Sequence, residues 1–267
     1  MDAVHARPAA ATRLLLSLAR LRLRHLIPRL ANPRIPFAGT RIIADLSTPL
    51  GLHLYRYGWS DSDLALLSAL TQPGRVVIDC GANIGLFSVS AAMAGAARVY
   101  AFEPAATTRF ALERNVAAAR THCVTVLPFA LADVTASASF TVMPAGGGLS
   151  SFAPASPSAG HTTTVGVRRL DDVIPAADHS QVGVIKIDVE GAEEKLLRGA
   201  VKIIATSRPA ILIEVEDEHL RRQGSSATRL RDLLKARGYH LAPGAQPPNE
   251  LYLPTLADTS VCGRMDG

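Results

Sequence analysis

Short apolar runs alternate along this chain with stretches of helical period, the pattern of a parallel sheet with crossover helices on both faces. Val76-Val77-Ile78 runs into Asp79-Cys80-Gly81 and Val99-Tyr100-Ala101-Phe102 runs into Glu103, so each predicts a buried strand that ends in an acid. Further strands are predicted at 123–129, 184–189 and 210–215, with helices at 86–94, 108–119, 192–205 and 228–237 and a closing strand pair at 238–241 and 251–253. Upstream, Asn32-Pro33-Arg34-Ile35-Pro36 breaks the chain, and residues 40–57 alternate around Pro49-Leu50-Gly51 as a hairpin would. Asp61 or Asp63 then caps a short helix that reaches Leu70. An insertion between the third and fourth strands carries two short strands, at 138–143 and 163–169, around a glycine- and serine-rich loop. A loop of that length serves as a lid over a pocket or as a surface connection.

At 267 residues and 48% hydrophobic, the chain can bury one large α/β core without a second domain. It divides into a basic amphipathic arm at 1–38, a hairpin and helix at 39–72, a core at 73–254 with its insertion at 134–170, and a tail at 255–267. The net charge of +5 is concentrated in the arm, in Arg7, Arg13, Arg20, Arg22, Arg24, Arg29 and Arg34. Arg13, Arg20 and Arg24 can share one helical face and Leu16, Ala19, Leu23 and Leu26 another. Those leucines are expected to pack on the chain's own domain, with an interfacial helix in peripheral membrane contact or a partner-binding helix as the other use. Cys80, Cys123 and Cys262 form no Cys-x-x-Cys pair, and the uncharged stretch 14–19 is too short for a signal-peptide core or a membrane span. A cytoplasmic protein without disulfides or a zinc site is expected.

The turn Asp79-Cys80-Gly81-Ala82-Asn83-Ile84-Gly85 lacks the G-x-G-x-x-G spacing of dinucleotide sites. Glu103, one strand later, is placed to accept hydrogen bonds from ribose hydroxyls. A nucleoside cofactor without a pyrophosphate fits this pair better, and S-adenosylmethionine is the expected one. Chemistry on the cofactor should come from a second cluster. In an extended strand Lys186, Asp188 and Glu190 project from one face, and Glu214 and Glu216 repeat the pattern one strand on. Such charges are costly to bury unless they are paired or reach the crevice at the strand ends. Glu193 and Glu216 are expected to serve a helix dipole and the solvated surface, which leaves Asp188, Glu190 and Glu214 as functional candidates. One of these carboxylates can accept the proton of an attacking hydroxyl, oriented by Lys186. Alternatively the acids can hold Mg²⁺, with Asp188 and Glu214 as ligands. Both uses stay open.

On Ile78 to Gly85, Ala101-Phe102-Glu103-Pro104, Asn115, Ala130-Leu131-Ala132-Asp133, Leu170-Asp171-Asp172, Lys186 to Glu193 and Ile213-Glu214, the chain resembles the FkbM-type S-adenosylmethionine-dependent methyltransferases. The likeness spans about residues 40–253. It implies the class I methyltransferase fold, a Rossmann-like seven-stranded sheet with its last strand antiparallel. It also implies O-methylation of a hydroxyl on a sugar, glycolipid or polyketide-type natural product. Carried onto these positions, it makes Asp79, Gly81, Ala82, Asn83 and Gly85 the cofactor loop and puts Glu103 and Pro104 at the ribose. Ala130 and Asp133 would approach adenine, and Lys186, Asp188, Glu190 and Glu214 would face the transferred methyl group. Ser150 and Ser151 resemble a serine-bearing loop of the family. Cys80 replaces an aliphatic residue, and Trp59-Ser60-Asp61 stands where a Tyr-Glu pair is common. The arginine-rich arm raises an RNA or other macromolecular acceptor as the alternative, against which neither an Asn-Pro-Pro-aromatic motif nor a Pro-Cys nucleophile is present. A protein that binds the cofactor without catalysis is the remaining alternative.

Overall fold

The computed structural model describes residues 31–59, 61–142, 161–243 and 248–255, together with 12, 15–17 and 19–20 of an N-terminal helix. The strands are β1 (Arg34–Phe37), β2 (Thr40–Ile43), β3 (Val76–Cys80), β4 (Arg98–Phe102), β5 (Val124–Leu127) and β6 (Phe129–Leu131), followed by β7 (Ala136–Val142), β8 (His161–Arg168), β9 (Val182–Ile187), β10 (Ala210–Glu214), β11 (Tyr239–Leu241) and β12 (Asn249–Pro254). Seven of them form one sheet in the order β11-β12-β10-β9-β3-β4-β5. β9, β3, β4, β5 and β10 pair in parallel, while β12 is antiparallel to β10 and to β11. This is the α/β, class I methyltransferase sheet with its last strand antiparallel.

The period of two along β3 sends neighbouring residues to opposite faces, and both faces are covered. Val76, Ile78 and Cys80 join Leu196, Leu197 and Ile203 under the helices Glu193–Arg198 and Val201–Ser207. Val77 meets Phe87 and Ala91 of the helix Leu86–Met93 on the other side. Each such buried aliphatic side chain stabilises the fold by about 1.5–3 kcal/mol.

The sequence places a hairpin around Pro49-Leu50-Gly51, and the structure corrects this. β1 and β2 pair earlier, around Ala38-Gly39, both at positive φ. Pro49–Tyr57 is a helix. The Thr48 side chain accepts from the Gly51 N–H, and Pro49 sits at the helix start, where its missing N–H leaves nothing unpaired. What reads as alternation is a helical stripe that buries Gly51 and Leu54. This N-terminal layer packs Ile35, Phe37, Ile42 and Leu54 on Leu86, Val89 and Ala119. Asn115, buried on the helix Ala106–Ala119, locks it in place. Its Oδ1 accepts from the Ile43 N–H at 2.7 Å and its Nδ2 donates to the Ile84 carbonyl at 2.8 Å.

Three further differences have local causes. The strand expected at 123–129 ends at Leu127, because Pro128 cannot donate to the ladder, and β6 leaves to build a small sheet in the order β6-β8-β7. The helix expected at 192–205 is broken at Gly199, where an added Cβ would lie 2.1 Å from the Ala132 carbonyl oxygen. Asp171 then caps the second half by accepting from the Lys202 and Ile203 N–H groups. In the arm, Leu16 and Ala19 are exposed rather than packed on the domain, and contact runs through Ser17, which accepts from Arg56, and Arg20, which lies over Tyr55. Leu23, Leu26, Arg7, Arg13, Arg22, Arg24 and Arg29 lie outside the described residues, as do Ser150 and Ser151. No helix among the described residues is long and apolar enough to cross a membrane.

Candidate active site

The carboxyl ends of β3, β4, β9 and β10 open into a cavity of about 710 Å³. Gly81 stands at its floor. Its φ of +78° belongs to the left-handed region, and a Cβ there would lie 1.8 Å from the Asp188 carbonyl oxygen, so the ends of β3 and β9 approach as closely as only glycine permits. Asn83, also left-handed at φ 51°, turns its N–H to Glu103 Oε2 at 3.0 Å, and the Ala105 N–H reaches Oε1 at 2.9 Å. Glu103 is therefore fixed by main-chain donors from both sides, with lone pairs left on each oxygen. Burial outweighs these donors and pushes its carboxyl up to about 7. Pro104 and Ala130 line the same wall, beside Phe129 and Leu131.

Asp188, Glu190 and Glu214 line the opposite wall. The extended strand that would place Lys186, Asp188 and Glu190 on one face stops at Ile187. Glu190 instead adopts φ 55° in the following turn, which aligns it with the end of β10. Lys186 donates to Asp188 Oδ2 and to the Gly81 carbonyl, each at 3.0 Å, and lies 3.9 Å from Asp79. Burial works against the Lys186 charge, but Asp188 and then Asp79 overcome it and hold the ammonium above the ordinary lysine range. Burial, reinforced by Asp188 and Glu214, lifts Glu190 to about 8. Burial and Asp188 lift Glu214 to about 7.

Several residues taken from the sequence as contacts do not line this cavity. Asp79 is fully buried, accepts from Ser88 Oγ at 2.5 Å, and acts on Lys186 from beneath. Ala82 is buried, with its N–H on the Phe102 carbonyl. Gly85 makes room for Leu112, which a Cβ would meet at 2.3 Å. Asp133 is not among the lining residues, and its main-chain oxygen accepts from Arg169. Lys186 supports the wall through Asp188 rather than forming it. Glu193 accepts from the Val189 and Gly191 N–H groups, and Glu216 is exposed just before the helix Asp217–Arg222.

Other lining residues escape the sequence reading. The N-terminal layer contributes Ile43, Asp45, Thr48, Leu50 and His53. Thr48-Pro49, an N-cap followed by a first-turn proline, is the signal that would have revealed that helix. His219 is the other omission, because the helix Asp217–Arg222 reads as a solvated charge run. It brings Nδ1 to 3.1 Å from Glu190 Oε2, and Glu190, Glu214 and His219 form a cluster whose ligand atoms lie within 4.8 Å of one another. Asp188 stands outside that cluster but touches Glu214 beside it, so the fold brings the pair expected from sequence, Asp188 with Glu214, up against the Glu190, Glu214 and His219 group.

The methyltransferase FkbM domain model matches residues 79–241. The AMB antimetabolite synthetase AmbE of Pseudomonas aeruginosa is 30% identical across 64% of this chain, which spans 10% of that protein. The 31-O-demethyl-FK506 methyltransferase FkbM of Streptomyces tacrolimicus is 28% identical across 62% of this chain and 74% of its own length. The crystal structure of methyltransferase FkbM from Methylobacillus flagellatus superposes with a TM-score of 0.43 at 23% identity, covering 67% of this chain and 43% of that one.

Proposed function

The chain belongs to the FkbM methyltransferase domain family, and from that premise we propose that it is an S-adenosylmethionine-dependent O-methyltransferase acting on a hydroxyl of a small molecule or glycolipid. The observation that carries this reading is a single cavity with a carboxylate held on main-chain donors at one wall and three carboxylates at the other. The residues present fit the cofactor. Gly81 lets the ends of β3 and β9 close in on the cavity as no other residue would, and Glu103 offers lone pairs to two ribose hydroxyls.

When bound, the cofactor supplies an electrophilic methyl group. Methyl transfer to an acceptor hydroxyl would require its proton to leave. Asp188 is the residue placed to take it: it lines the cavity, and Lys186 fixes its Oδ2 at 3.0 Å. Lys186 is a positioning residue, anchored in turn by Asp79 and the Gly81 carbonyl. Mg²⁺ forms no part of this reading. A cytoplasmic setting suits the free thiols of Cys80 and Cys123. Exposed Leu15 and Leu16 suit a lipid-linked acceptor that meets the arm at a membrane surface.

Incubation with methyl-labelled cofactor and a panel of sugar, glycolipid and polyketide alcohols tests the proposal. Transfer to one class, lost in Asp188→Asn, supports it. No transfer to any alcohol by protein that binds the cofactor product would sink the O-methylation reading.

A further inference from the structure

Glu190 Oε2 and His219 Nδ1 are buried, face each other at 3.1 Å, and neither has a hydrogen-bond partner. A carboxylate and an imidazole nitrogen at this distance form an ion pair only when the ring is protonated; with a neutral ring the nitrogen lone pair and the carboxylate oxygen can share a cation. The fold holds both in place. Glu193, only 2% exposed, accepts from the N–H groups of Val189 and Gly191 on either side of Glu190 and so clamps the turn. Its own Oε2 is likewise buried and unpartnered. Gly191, at φ +103°, passes so near the His219 carbonyl that a Cβ would lie 2.3 Å from it, which fixes the turn against the helix Asp217–Arg222. Glu214 completes the group from the end of β10.

A separation of 3.1 Å has a simple chemical meaning. Two ligands each about 2.1 Å from one cation, at a right angle, stand about 3.0 Å apart. A cation would satisfy Glu190 Oε2 and His219 Nδ1 and offset the carboxylates, whose neighbour Lys186 is already committed to Asp188. One imidazole with two carboxylates suits a transition-metal ion better than Mg²⁺, which prefers oxygen ligands alone. Glu190 and Glu214 both line the cavity, so the remaining coordination positions would open toward the acceptor. We infer that Glu190, Glu214 and His219 bind one divalent transition-metal ion of the Zn²⁺ or Mn²⁺ type at the acceptor end of the cavity. This goes beyond the methyl-transfer reading and does not need it.

Calorimetric titration of chelator-stripped full-length protein with Zn²⁺ and Mn²⁺, and with Mg²⁺ for comparison, tests the site without any acceptor. The expected result is one equivalent of Zn²⁺ or Mn²⁺ bound more tightly than Mg²⁺, weakened by roughly 100-fold in His219→Ala and in Glu190→Gln. Thermal melting adds a second readout. Zn²⁺ should raise the melting temperature of the wild type but not of His219→Gln, which keeps most of the side-chain volume. S-adenosylhomocysteine affinity, measured on the same His219→Ala sample, reports the cofactor wall separately, so loss of the metal site and failure of the cofactor reading are distinguishable. No binding by the wild type, or binding that survives both substitutions, overturns the inference.

Discussion

The two walls of the cavity are built by different means. The cofactor wall is main chain: Gly81 and Asn83 take positive φ angles, Asn83 and Ala105 direct their N–H groups, and Glu103 is the one charge those groups hold. The opposite wall is side chain: Asp188, Glu190 and Glu214 converge from a strand end, a strained turn and a second strand, and are steered by Lys186 and His219. Main-chain recognition depends on where glycine is allowed and tolerates no added carbon. Side-chain recognition depends on charge balance and answers to substitutions that change charge without changing shape. A ligand common to many relatives suits the first construction, and an acceptor that varies suits the second.

Substitutions can separate the walls. Asp188→Asn should lower turnover by about 10³-fold, within the usual range for loss of a general base, while cofactor-product affinity stays within about threefold of wild type. Parallel kinetics and calorimetry would show the split, and an equal loss in both would merge the walls. Gly81→Ala should destabilise by about 3 kcal/mol or prevent folding, because its Cβ would strike the Asp188 backbone. Gly74→Ala, at the same φ of +78° but with nothing within 4 Å, should cost only about 1 kcal/mol by thermal melting. Asn115→Ala, which frees the Ile43 N–H and the Ile84 carbonyl, should cost about 2 kcal/mol by denaturant titration.

The smallest effect is that of pH. Glu103 titrates near 7 in the folded chain, above its ordinary value of 4.5, so the protonated form is favoured by folding. Its contribution to stability is full below about 4.5 and is lost as pH rises through about 7. Ribose hydroxyls need the charged form as acceptor, so product affinity should rise up to about tenfold per pH unit below 7 and level off above it. Glu103→Gln should flatten that profile.

Sequence made the cofactor wall legible because its signals are local: an apolar run, an acid and spaced glycines specify a strand and turn whatever surrounds them. The same signals overstate contact. Asp79 and Gly85 belong to the motif through packing, under Ser88 and Leu112, and sequence spacing cannot distinguish a residue that touches a ligand from one that supports the turn. The acidic wall was only half legible. Asp188 and Glu214 follow from strand ends, but Glu190 reaches the cavity through a left-handed turn that strand alternation does not foresee. His219 and the layer carrying Asp45 and His53 arrive by tertiary packing, through a helix of six residues and a capped helix that mimics alternation.

The central claim is that this cavity holds an adenosyl cofactor on Glu103, and calorimetric titration with S-adenosylhomocysteine tests it without any acceptor. One equivalent bound at micromolar affinity, weakened about 100-fold in Glu103→Ala and unchanged in Asp188→Asn, is the result expected. Folded protein that fails to bind, or that binds equally well after Glu103→Ala, would contradict the account.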